Sequence, residues 1–303
     1  MAFQDNSNNK GLTYNTKYSQ INCPWNLIKN TYNRNGTLIY DISYNPNRIL
    51  TLSIISELDK NNWIMKLSSD GRCEDENKII NELKLYECPY SIKFPKFDYY
   101  RNGKFEKYDW YVIEKYDGVL RQDLAYCKSE IKNLAFQLIS FLEWLHVDKK
   151  KIYGDIKVDN IVFKKKDTSF RIIDFESISN PSNELCFESL PNGYYYYGLG
   201  CDYDKPYFSF RMDLQALGYI LWSLSLHSLS FNGFKWQKCA FSFYEKRKNS
   251  NLFQSLEVEK KLNNLELEKS DIIQKYFSII EKCDWFDKCA NPNVYIELKN
   301  LFI

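Results

Sequence analysis

The chain has 303 residues, with 41 Lys and Arg against 39 Asp and Glu, a net charge of +2. So even a balance argues against a dedicated nucleic-acid surface, while 44% hydrophobic and 17% aromatic residues exclude a disordered chain and suffice for one large domain or two lobes around a cleft. Nine Cys at scattered positions, without a Cys-x-x-Cys pair, and only two His, His146 and His227, read as reduced thiols in a cytosol-like compartment and argue against a zinc centre.

Residues 1–24 form a polar lead-in without the apolar core of a signal peptide. Strands are expected at 37–40, 49–55 and 63–67, separated by turn-prone Asn, Asp and Gly. Helical spacing follows over 74–86, with Ile79, Leu83 and Tyr86 on one face. Two more strands fit at 93–100 and 108–114, so five strands and one helix make an N-terminal lobe over 25–115.

Asp117-Gly118 ends the strand pattern. Ile131, Leu134, Leu138, Phe141, Leu142 and Leu145 then line one face of a long helix ending near His146. Short strands are expected at 161–163 and 170–173, an irregular segment over 176–208, a helix over 213–226, and helices with polar loops to the end. The most apolar stretch, 216–231, is too short and too interrupted by Ser and His to span a bilayer. The expected fold class is α+β and bilobal, with a mainly helical second lobe over 116–303.

The densest chemical information lies in Tyr153-Gly154-Asp155-Ile156-Lys157-Val158-Asp159-Asn160, followed fourteen residues after Asn160 by Asp174-Phe175-Glu176. Phosphoryl transfer needs a carboxylate to take a hydroxyl proton, a cation on the moving phosphate and oxygen ligands for a divalent metal. Asp155, Lys157, Asn160 and Asp174 supply that set in order.

These residues resemble the eukaryotic protein kinases. Asn81-Glu82-Leu83-Lys84-Leu85-Tyr86, Tyr153-Gly154-Asp155-Ile156-Lys157, Met212-Asp213-Leu214-Gln215-Ala216-Leu217-Gly218-Tyr219 and the ending from Asn291-Pro292-Asn293 are most similar to the vaccinia-related kinases and their poxviral members, a branch near casein kinase type I. The resemblance spans about 25–302. It implies ATP with Mg²⁺ or Mn²⁺ as cofactors, Asp155 as base, Lys157 on the transferring phosphate, and Asn160 and Asp174 as metal ligands. It further implies that Lys66, in Trp63-Ile64-Met65-Lys66, holds the α- and β-phosphates and pairs with Glu82, the helix register favouring Glu82 over Glu76. Ile113 would guard the back of the adenine pocket, Glu114 and Tyr116 would offer backbone groups to adenine, Asp213 would brace the catalytic loop, and His146 would pack.

Three departures stand out. The glycine-rich phosphate loop is reduced to Gly36 within Ile28-Lys29-Asn30-Thr31-Tyr32-Asn33-Arg34-Asn35-Gly36, which costs close backbone approach to phosphate. Tyr153 stands where the family has His, and Glu176 where it has Gly. The leading expectation is a viral Ser/Thr protein kinase acting on chromatin-associated or viral proteins in the host cytoplasm or nucleus, without direct nucleic-acid or membrane contact. Two alternatives stay open: a pseudokinase serving as a protein-binding module, and a small-molecule phosphotransferase like choline or aminoglycoside kinases.

Overall fold

The computed structural model describes residues 25–34, 37–44, 62–96, 101–105, 108–120, 126–181, 209–227, 269–283 and 289–303. The strand expected at 49–55, Gly36, and all but the first residues of the irregular segment 176–208 lie outside them.

Strands β1 (Trp25–Arg34), β2 (Thr37–Tyr44) and β3 (Trp63–Ser68) are followed by helix α1 (Arg72–Leu83) and strands β4 (Asn102–Phe105) and β5 (Tyr108–Glu114). The five strands form one antiparallel sheet in the order β1-β2-β3-β5-β4. Period-2 alternation divides its faces. Trp63, Met65 and Leu67 of β3 and Trp110 and Val112 of β5 bury one face together with Trp25, Tyr40 and Ile42. Ile64 of β3 and Tyr111 and Ile113 of β5 belong to the other face, packed with Cys73, Ile80 and Leu83 of α1. Lys66 shares the parity of Ile64, so strand geometry alone sends its stem to the helix side.

The expected strand at 93–100 is not formed over its described residues, 93–96. Pro95 has no N–H for a ladder. The buried Arg101 guanidinium instead donates to the carbonyls of Pro95 at 3.3 Å and Lys96 at 3.0 Å, and the Lys93 carbonyl accepts from the Glu114 amide at 2.9 Å. The strand lies a few residues later, at β4, where Gly103 lets the Trp110 ring lie flat; a Cβ there would come within 2.7 Å of it.

After the short strand β6 (Gly118–Val119) comes α2 (Lys128–Glu143), then β7 (Ile161–Lys164) and β8 (Ser169–Ile172), a three-stranded sheet in the order β6-β7-β8. Helix α2 buries Ile131, Leu134, Ala135, Leu138, Ile139, Phe141 and Leu142, a stripe at the 3.6-residue period. Its N-terminus is closed by a capping box, with the Glu130 carboxylate accepting from the Cys127 amide at 2.8 Å. One wide turn over Trp144–Asp148 then carries Leu145 and His146 inward. Helices α3 (Phe210–His227) and α5 (Pro292–Asn300) pack on α2, and α4 (Lys269–Ile280) packs on α3 and α5. Helix α3 starts at Phe210, three residues before the expected start. The α+β bilobal architecture matches the expectation, and no described helix is long and apolar enough to cross a membrane.

Candidate active site

Strand β3, helix α1 and the loop after β8 bring three charges together. Lys66 Nζ lies 2.6 Å from Glu76 Oε1 and 2.8 Å from Asp174 Oδ1. Burial works against the Lys66 charge, but the two carboxylates outweigh it and hold the ammonium above its ordinary value. Asp174 is likewise opposed by burial, yet the adjacent Lys66 ammonium brings it down to about 2. Glu76 is fully buried, and burial raises its carboxyl while the Lys66 ammonium at 2.6 Å pulls it back toward the ionised form. Lys66 also lies 5.7 Å above the ring of Tyr111, its cross-strand partner.

The helix partner of Lys66 is therefore Glu76, and the expectation of Glu82 is corrected. Cys73, Glu76, Ile80 and Leu83 form the buried stripe of α1. Glu82, six residues beyond Glu76, lies roughly a third of a turn away around the helix. Its side chain is 67% exposed and faces Lys151 of the second lobe at 3.7 Å. The signal was present in the sequence, since Glu76 is three residues after Cys73 and four before Ile80.

The loop between α2 and β7 positions a second cluster. Asp155 Oδ2 accepts from Lys157 Nζ at 2.5 Å and from Asn160 Nδ2 at 2.9 Å, and the same amide reaches the Asp155 carbonyl at 3.1 Å. Asn160 is thus oriented with its nitrogen on Asp155, which turns the amide oxygen away from that carboxylate. Asp155 and Asn160 are both buried. The Asn160 carbonyl accepts from the Ile173 amide at 2.9 Å, joining this loop to the one that carries Asp174.

Beneath the loop, Asp213 of α3 accepts from the Tyr153 amide at 2.6 Å and the Gly154 amide at 2.9 Å. Gly154 has a φ of +82°, a left-handed conformation that favours glycine. Asp213 Oδ2 also lies 3.0 Å from His146 Nε2, and His146 Nδ1 lies 2.6 Å from the Tyr295 hydroxyl. A carboxylate accepts only, so Nε2 carries a proton and donates to Asp213. His146, expected to pack, also forms a hydrogen-bonded bridge between α3 and α5.

Ile113 is buried opposite Ile64 at the inner end of the strand pair. The Glu114 side chain turns inward and pairs with Lys164 Nζ at 2.5 Å, tying β5 to β7, while its amide is held by Lys93. Tyr116 is partly buried, with Lys164 5.8 Å above its ring, and burial raises its phenol.

Asp174, Asn160 and the nearby Glu176 offer the hard oxygen donors that a divalent cation takes. Ligand atoms of Glu76, Asp174 and Glu176 all lie within 4.8 Å of one another, with Lys66 paired to the first two. Burial and the Asp174 charge raise the Glu176 carboxyl above its usual range. This donor chemistry fits a divalent cation.

The chain matches the family model for the protein kinase domain over residues 56–284, more than half its length, and it belongs to that family. Strands β1 and β2, with the glycine-poor stretch 28–36 that lies mostly within β1, precede the matched residues, and α5 follows them. No curated protein matched the chain. Membership implies ATP and a divalent cation for the site just described.

The depressed Asp174 carboxyl has a consequence for stability. Its contribution is present above the ordinary value near 3.8 and is lost as pH falls toward 2. Asp174→Asn is expected to cost about 2 kcal/mol near pH 7, with the gap to wild type closing as pH falls from 4 to 2. Urea midpoints of both proteins across that range check it; a gap independent of pH would contradict it.

Proposed function

We propose that the chain is a Ser/Thr protein kinase of the vaccinia-related type, of viral origin, moving the γ-phosphate of ATP to protein hydroxyls with Mg²⁺ or Mn²⁺. The observation that carries this reading is the closure of Lys66 on Glu76 and Asp174, beside a loop in which Lys157 and Asn160 both orient Asp155. In this reading Lys66 holds the α- and β-phosphates, and Asp155 takes the proton of the attacking hydroxyl. Lys157 then moves from Asp155 toward the transferring phosphate. Asp174 and Asn160 would hold a divalent cation, which would neutralise phosphate charge during transfer.

Lys157, two residues beyond the base, supports Ser and Thr as acceptors, by resemblance to the wider family. Protein substrates of chromatin-associated or viral type, and a cytoplasmic or nuclear site of action, belong to the same reading. Analysis of phosphorylated residues after reaction with labelled ATP tests it: phosphoserine or phosphothreonine is expected, and phosphotyrosine alone would overturn the specificity.

The pseudokinase reading draws on the glycine-poor stretch at 28–36 and on Glu176. These two features are separable. Glu176→Gly is expected to preserve or raise turnover at saturating cation, because it frees the backbone beside Asp174. Complete loss of transfer would instead make the Glu176 carboxylate a ligand of the cation.

A further inference from the structure

Helix α2 runs on into one wide turn over Trp144–Asp148, closed by the Lys149 amide on the Trp144 carbonyl at 3.2 Å. Single turns of this width are rare and recur at functional positions. This one carries the His146 ring inward, where it is fully buried. Both ring nitrogens are engaged there. Nε2 lies 3.0 Å from Asp213 Oδ2, and Nδ1 lies 2.6 Å from the Tyr295 hydroxyl. The Tyr295 ring stands at 73° to the imidazole with centroids 5.8 Å apart, and the Phe210 ring lies 5.1 Å away. The imidazole cannot rotate about its stem without giving up both hydrogen bonds, each costly to leave unmade in the interior.

Asp213 uses the same Oδ2 atom for the Tyr153 amide, at 2.6 Å, and Oδ1 for the Gly154 amide, at 2.9 Å. His146 therefore helps set the plane of the carboxylate from which the residues just before Asp155 hang. Tyr295 holds His146 from the opposite side. It stands on α5, which packs on α2 and α4 and lies beyond the residues matched to the kinase domain. Family membership thus does not account for this hydroxyl. Val294 and Leu298 are buried on the same helix, and packing alone would be served by a Phe ring at 295.

We propose that Tyr295 is a positioning residue. Its hydroxyl, acting through His146, fixes the Asp213 carboxylate and with it the backbone of Tyr153 and Gly154 that delivers Asp155. The final helix is then part of the catalytic unit. The catalytic side of this role rests on the kinase reading of Asp155, whereas the hold on the loop backbone is measured without it.

Amide hydrogen exchange of the full chain is followed by mass spectrometry for wild type, Tyr295→Phe, His146→Gln and the double variant, beside melting temperatures, kcat and KM for ATP. Tyr295→Phe is expected to speed exchange in the peptides carrying Tyr153 and Gly154 about tenfold, the equivalent of one buried hydrogen bond, while α5 keeps its protection. It is expected to lower kcat about three- to tenfold with KM for ATP unchanged. Gln at 146 keeps an N–H for Asp213 but loses the imidazole, so Tyr295→Phe should add nothing in that background. Wild-type exchange around Tyr153 and Gly154 in Tyr295→Phe, faster exchange confined to α5, an unchanged kcat, or an effect that persists in full beside His146→Gln would each overturn the proposal. Should Tyr295→Phe not fold, the wild-type nitrogen NMR spectrum carries the test, since the chain has only two His. A single fixed protonation form of His146 with both ring nitrogens hydrogen-bonded supports the proposal, and a ring averaging between tautomers overturns it. A folded wild type that transfers no phosphate would remove the kinase reading instead, and the exchange rates would still decide whether the hydroxyl holds the loop.

Discussion

Asp155→Asn is expected to lower phosphoryl transfer by about 10²–10⁴-fold, the usual contribution of a positioned general base, with folding and nucleotide binding retained. The amide is nearly isosteric with the carboxylate. It can still accept from Lys157 and Asn160, which now approach Asp155 Oδ2 at 2.5 and 2.9 Å, but it cannot take the hydroxyl proton. The cluster's geometry therefore survives while its chemistry does not. Initial rates at saturating ATP, beside a melting curve for each protein, check this. A variant with wild-type turnover would remove Asp155 from the base role, and one that unfolds would make its role structural.

Glu76→Gln and Glu82→Gln are expected to part sharply. Glu76 is fully buried with its carboxylate on Lys66, whereas Glu82 is two-thirds exposed and reaches Lys151 at 3.7 Å. Removing the Glu76 charge leaves Lys66 with Asp174 as its remaining anionic partner. That drives the ammonium toward the metal-binding carboxylate and away from phosphate. A loss of about tenfold to a hundredfold in kcat/KM is expected, equivalent to about 1.4–2.8 kcal/mol, mainly through KM for ATP. Glu82→Gln should stay within about twofold, since an exposed pair at this distance contributes at most about 1 kcal/mol. Steady-state kinetics on the two variants decide it, and the opposite order would restore Glu82 as the partner of Lys66.

The contrast between these two glutamates shows where sequence reading succeeds and where it stops. The spacing of Asp155, Lys157, Asn160 and Asp174 was legible because local chain geometry brings most of them together. Asp155, Lys157 and Asn160 sit in one loop, and the Ile173 amide joins that loop through the Asn160 carbonyl. The choice between Glu76 and Glu82 depended instead on which face of α1 is buried. The apolar stripe containing Cys73, Ile80 and Leu83 carried that information, but it was outweighed by the likeness of residues 81–86 to a family motif.

Strands fared unevenly for a related reason. β3 alternates over most of its length and β5 is a short bounded apolar run, so both could be read directly. β1 could not, because register shifts between Leu27 and Lys29 and between Asn30 and Tyr32 break the period-2 pattern on which strand recognition rests. The stretch at 93–100 misled in the opposite direction: it looks strand-like, but Pro95 and the Arg101 guanidinium hold its backbone outside the sheet.

The measurement that bears most directly on the central claim is transfer of labelled γ-phosphate from ATP by the folded wild-type chain, to itself and to a generic protein substrate, with Mg²⁺ or Mn²⁺. The Lys66, Asp155 and Asp174 geometry predicts incorporation that depends on the cation and disappears in Lys66→Met. Folded protein that binds nucleotide yet transfers no phosphate with either cation would contradict the account and make the chain a binding module built on a kinase fold.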